Sequence, residues 1–141
     1  MNEAILITQA TRSTAGVLLL TVLAVEFGGL FMLSVVRRRA SATPFQSAFF
    51  RAGHAHAGVL VTLSLATQLF VDAAGLAGLA GTVARSGIPV AAILMPTGFF
   101  LSAWGRGVTE PNRLIVLVYA GAVSLALGGL ALGLGLLGVG G

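Results

Sequence analysis

Four runs of apolar residues, Thr14 to Val36, Gly53 to Leu76, Ile88 to Trp104 and Leu114 to Val139, take up most of this 141-residue chain. About 20 such residues in a helix cross the hydrocarbon core of a bilayer. A backbone in lipid must satisfy its own hydrogen bonds, which leaves helices or a closed barrel. The alternation of barrel strands is absent, so the runs read as helices. The expected fold is all-α: a four-helix transmembrane bundle, one integral membrane domain over residues 1–141, with helices near 14–36, 44–76, 88–105 and 112–139. Composition agrees, because a soluble domain that is 57% hydrophobic and 9% charged would expose too much apolar surface.

All eight basic residues are arginine. Arg37, Arg38, Arg39, Arg51, Arg106 and Arg113 fall on one side of a four-crossing chain, and Arg12 and Arg85 on the other. By the positive-inside rule the richer side faces the cytoplasm, giving an N-out/C-out protein of the cell membrane. A secretory signal has a basic start and a short apolar core, whereas the first charge here is Glu3 and the first run is long, so that run is expected to be retained. The net charge of +4 is accounted for by arginines flanking apolar runs, and no nucleic-acid partner is expected. With no cysteine, disulfides and thiolate metal sites are excluded. No hydrolase triad, H-E-x-x-H motif or phosphate-cradling loop is present, and no catalytic residue is assigned.

The most informative stretch is Phe49 to Val59, F-F-R-A-G-H-A-H-A-G-V, which sets Arg51 and the only two histidines at the mouth of an apolar run. A charged side chain at the centre of an inserted helix costs about 2.5–3.5 kcal/mol, so such residues need compensation. Residues two apart on a helix point about 200° apart, so His54 and His56 serve different surfaces unless the backbone is irregular at Gly53 or Gly58. His54, on the face of Gln68 and Asp72, is expected to look into the bundle. Thr43 and Pro44 suit an N-cap and first turn, opening helix two as an interfacial turn through Phe45, Phe49 and Phe50.

Glu26 lies near the middle of helix one with no partner on its own helix face, so its partner must come from another helix or it is buried as the neutral acid. After helix two, A-A-G-L-A-G-L-A-G with Thr82, Arg85 and Ser86 reads as a small-residue turn, where Asp72 could pair with Arg85 or Arg12. Pro96 is expected to kink helix three, and Thr109 and Pro111 to start helix four. Gly121, Gly128 and Gly135 recur every seven residues, and Gly129 and Gly133 form a G-x-x-x-G. Such stripes let helices approach closely, either inside the bundle or in a homodimer.

Depth links these residues. At ~1.5 Å per residue, Glu26 lies about 15 Å from Val36, Thr97 about 14 Å from Arg106, and Tyr119 about 9 Å from Arg113, so polar groups of all four helices share one layer with His54. Glu26 and His54 are therefore candidate ligands of a transition metal, and Glu26, His54, Thr97 and Tyr119 candidates for a proton relay or substrate site.

The opening R-A-G-H, Arg51 to His54, followed by Ala55 and an apolar stretch from Val59, resembles a helix of haem-copper oxidase subunit I of the cbb3 and nitric-oxide-reductase type. The resemblance covers about 25 residues and implies a haem b ligand at His54, a propionate partner at Arg51 and a second ligand at His56 or on another subunit. In outline, four short helices with Glu26 in the first and the Gly121–Gly128 stripe in the last also resemble the small multidrug resistance transporters, in which a mid-membrane carboxylate exchanges protons for a cation. The expected function is a homo-oligomeric membrane protein with a Glu26/His54 site for haem or a metal, or for proton relay. The alternatives are a proton-coupled exporter of small cations or lipophilic molecules, and an accessory subunit of a membrane complex.

Overall fold

A computed structural model describes residues 7–138. It is a bundle of four helices, α1 (Gln9–Val36), α2 (Pro44–Ala73), α3 (Gly78–Ser102) and α4 (Val116–Leu136), the last preceded by a 3₁₀ turn at Arg113–Ile115. All four are long and apolar enough to cross a membrane. Contacts follow chain order: α1 packs on α2, α2 on α3, and α3 on α4. Short connections produce this arrangement by forcing antiparallel neighbours.

Local chemistry explains where the helices begin. The Thr8 hydroxyl accepts from the Thr11 N–H at 3.2 Å, starting α1 five residues before the expected boundary. Helix α2 starts at Pro44 with a capping box: Thr43 Oγ1 accepts from Gln46 N, and Gln46 Oε1 accepts from Thr43 N, each at 3.1 Å. The Gln46 amide then donates to the carbonyls of Ala103 and Gly105, both at 2.9 Å, tying this end of α2 to the end of α3.

Two expectations, the start of α3 and the opening of the last span, are corrected. The Gly/Ala-rich stretch expected as a turn is helical from Gly78, so α3 starts ten residues early, and Pro89 and Pro96 lie inside a continuous helix. Phe45, Phe49 and Phe50 lie in the first two turns of α2, which opens at Thr43-Pro44 as expected. Phe50 is buried, 5.2 Å from the Phe31 ring edge-on and stacked on Phe100 at 5.6 Å. The final span is capped by Asn112, whose Oδ1 accepts from Leu114 N at 2.8 Å, rather than opened by Thr109 and Pro111. The expected end of that span at Val139 and the charge at Glu3 lie outside the described residues.

The glycine heptad of α4 faces inward. A Cβ on Gly128 would stand 2.9 Å from the Gly87 Cα, so the two backbones touch only because neither has a side chain. Ser124 Oγ donates to the Gly87 carbonyl at 2.8 Å in the same contact. Gly121 abuts Met95, and Gly135 abuts Leu76. The stripe proposed for a homodimer is thus occupied within the chain. Gly129 and Gly133 face outward, and an added Cβ there meets nothing within 4 Å.

Candidate functional site

Helix α2 is regular through Gly53 and Gly58, so its two histidines diverge as the helical period requires. His56 turns toward α3, its ring 5.0 Å from that of Phe99. Its Nδ1 lies 2.7 Å from the Ala52 carbonyl; a carbonyl only accepts, so Nδ1 carries the proton. His54 turns the other way, onto α1. A Cβ on Gly28 would lie 3.3 Å from His54 Nδ1, and one on Gly29 3.4 Å from Cε1, so the missing side chains of the Gly28-Gly29 pair make room for the imidazole. His54 Nδ1 is buried with no hydrogen-bond partner.

His54 lines a groove of about 460 Å³ between α1, α2 and α3. Its other walls are mostly apolar, from Leu18 and Val25 to Ala92, Pro96 and Phe100, with hydroxyls from Thr14, Thr21 and Thr97. The Thr21 hydroxyl donates to the Leu18 carbonyl of its own helix. A second cleft, about 410 Å³, shares Thr14, Pro89 and Ile93 with the groove and extends it to Thr82, Arg85 and Ser86. The two lie side by side along α3.

The other expected site residues lie elsewhere. Glu26 is exposed, does not line the groove, and sits about 110° around α1 from the Gly28–Gly29 face that His54 touches. The structure therefore does not bring Glu26 and His54 together. Tyr119 is 64% exposed on α4. Arg51 is exposed, and its Nε donates to the Ser47 carbonyl at 3.2 Å. Of the residues expected to form the polar layer, Thr97 alone joins His54 in the groove. Among the described residues no three His, Asp or Glu side chains cluster as metal ligands do.

A second polar cluster lies where α1 and α3 begin and α2 ends. Arg85 Nη2 pairs with Asp72 at 2.7 Å, and its Nη1 donates to Thr11 Oγ1 and to Gln68 Oε1. Asp72 also accepts from Thr8 N at 3.1 Å and from the Thr8 hydroxyl. Gln68 Nε2 donates to the Arg85 carbonyl at 2.9 Å. That carbonyl has no helical partner, because the residue four on is Pro89, which has no N–H. Pairing of Asp72 with Arg85 rather than Arg12 follows. Thr11 and the bonding role of Gln68 were not expected from the sequence, although the spacing of Arg85 and Pro89 marks a carbonyl in need of a donor. No protein family, curated protein or solved structure matches the chain.

Proposed function

We propose that this protein is a binding protein of the cell membrane that takes a lipophilic molecule into the α1–α2–α3 groove and holds its polar group at His54. The observation that carries this reading is a half-buried imidazole on the wall of a mostly apolar groove of about 460 Å³. Nδ1 is closed off against Gly28 of α1, so Nε2, which has no partner among the described residues, is the nitrogen left to bond a ligand atom. The apolar walls supply affinity, and the one polar contact supplies orientation. The groove's continuation past Pro89 toward Ser86 suits an elongated molecule.

The residues fit haem only in part. His54 would offer one axial nitrogen, but the groove lining contains no second histidine or methionine, and Arg51 is not part of it. The groove lining supplies no second ligand and no propionate partner, so an organic molecule with one hydrogen-bonding group is preferred. The proton-exchange reading, which needs an acid in the same site, is disfavoured by the placement of Glu26 outside the groove.

Mass spectrometry of solvent extracts and an absorption spectrum of the detergent-purified protein test this. We expect a lipophilic compound to copurify with the native chain. His54→Ala should hold it about fivefold more weakly, the effect of one lost hydrogen bond of ~1 kcal/mol. Ala24→Phe, which places a ring in the groove from an exposed position, should exclude it. A Soret band lost in His54→Ala would replace the preferred ligand class with haem. Equal recovery from all three proteins would end the reading.

A further inference from the structure

Helix α1 carries two seams, and only one is used within the chain. Thr11, Leu18 and Met32 are buried and Val25 is partly buried, seven residues apart, on the side of α1 that meets α2 and α3. A second set, Leu19, Leu23, Glu26, Leu30 and Leu33, alternates in steps of four and three, the a/d spacing of a helix that packs along its length on another helix. This second seam is bare: Leu19, Leu23, Leu30 and Leu33 are 59%, 60%, 63% and 43% exposed, and Glu26 at its centre is exposed as well. A bare leucine seam is unremarkable in lipid. A carboxyl in the middle of one is not, because hydrocarbon offers it no hydrogen bond.

We infer that a second copy of this chain covers that seam, with the two α1 helices parallel and the two Glu26 side chains meeting across the two-fold axis. Copies inserted with the same topology present α1 in the same direction, so a two-fold axis along the membrane normal makes the helices parallel and places each d residue opposite its equivalent. Glu26 then faces Glu26. Carboxylic acids are self-complementary: each neutral group donates one O–H and accepts at its carbonyl oxygen, so the pair satisfies itself without a basic partner. None of this chain's arginines is available at that depth, since all eight lie at or near the ends of helices or in connections. A single polar layer in an apolar seam also sets its register. The groove wall of α1, with Thr14, Thr21 and Gly28, is on the opposite side of the helix, so this pairing is independent of any groove ligand.

The chain has no cysteine, so single cysteines report the contact directly. In proteoliposomes oxidised with copper phenanthroline, Leu19→Cys, Leu23→Cys and Leu30→Cys should each form disulfide-linked dimers. Leu20→Cys, at the same depth but about 100° around the helix, and Ala126→Cys, on the exposed face of α4, should stay monomeric. Single-molecule photobleaching across dilution in lipid should show association about tenfold weaker in Glu26→Leu and close to native in Glu26→Gln, whose amide still donates and accepts. Equal crosslinking at Leu19 and Leu20, crosslinking at Ala126 in place of Leu23, or native association in Glu26→Leu would each overturn the inference.

Discussion

Polar residues in a membrane helix are governed by what they meet, and the cluster around Arg85 shows how closely side chain and backbone are matched. Pro89 frees the Arg85 carbonyl, Gln68 donates to it, and the same amide accepts from the Arg85 guanidinium. Gln68 is fully buried, so Gln68→Leu leaves a carbonyl and a guanidinium N–H without partners, at a cost of about 1–3 kcal/mol. Pro89→Ala restores the N–H that the carbonyl lacks. We expect Gln68→Leu to lower the melting temperature in detergent, and the loss to be smaller in the Pro89→Ala background, with a coupling of about 1 kcal/mol. Strict additivity would show that the amide–carbonyl bond contributes nothing. The Asp72–Arg85 pairing was legible in the sequence as one of two options, whereas the role of Gln68 depended on which face of α2 meets α3.

Helices in lipid are held by close packing and hydrogen bonds, because leucine against lipid is as favourable as leucine against leucine. The contact between α3 and α4 uses Gly87, Gly128 and Ser124 in this way. Gly128→Leu forces the helices apart and should cost about 1–3 kcal/mol, the usual range for overpacking. Gly129→Leu, one residue on, points into open space and should leave the melting temperature unchanged. Equal effects at the two positions would mean that α4 is rotated from the orientation described here. The seven-residue recurrence of glycine announced a close helix contact, but not whether the partner was α3 or another copy. Likewise the ten residues from Gly78 to Gly87 read as a turn because small residues mixed with Thr82, Arg85 and Ser86 carry little hydrophobic period. Packing of Ala84 beside Val71 and Leu132, and of Gly87 on α4, holds them in the helix.

At the scale of the whole bundle, charge sets the orientation and the two flanks set what it can bind. Four crossings put both ends of the chain on one side, and six of the eight arginines lie at the opposite end of the bundle. A cysteine at Gly107 should react with a membrane-impermeant maleimide only after cells are opened, and one at Gly75 in intact cells. The reverse pattern would invert the expected orientation. Because contacts follow chain order, α1 and α4 are flanks that each pack mainly on one neighbour, and most of their surface faces outward. The groove and the Glu26 seam are both consequences of α1 being such a flank.

Reading along the chain was enough to establish how many helices there are, that they cross a membrane, and where Thr43-Pro44 opens the second. Those properties are sums of transfer and capping free energies over neighbouring residues, and they need no knowledge of partners. The depth of Glu26, His54 and Thr97 followed from the same counting. His54 was expected to face the bundle, but which way Glu26 and Thr97 point did not follow, because rotation of a helix about its axis is chosen by the surfaces packed on it. Gly28 and Gly29 admit His54, the Thr11–Leu18–Met32 seam turns α1 onto α2, and Glu26 is thereby left facing outward.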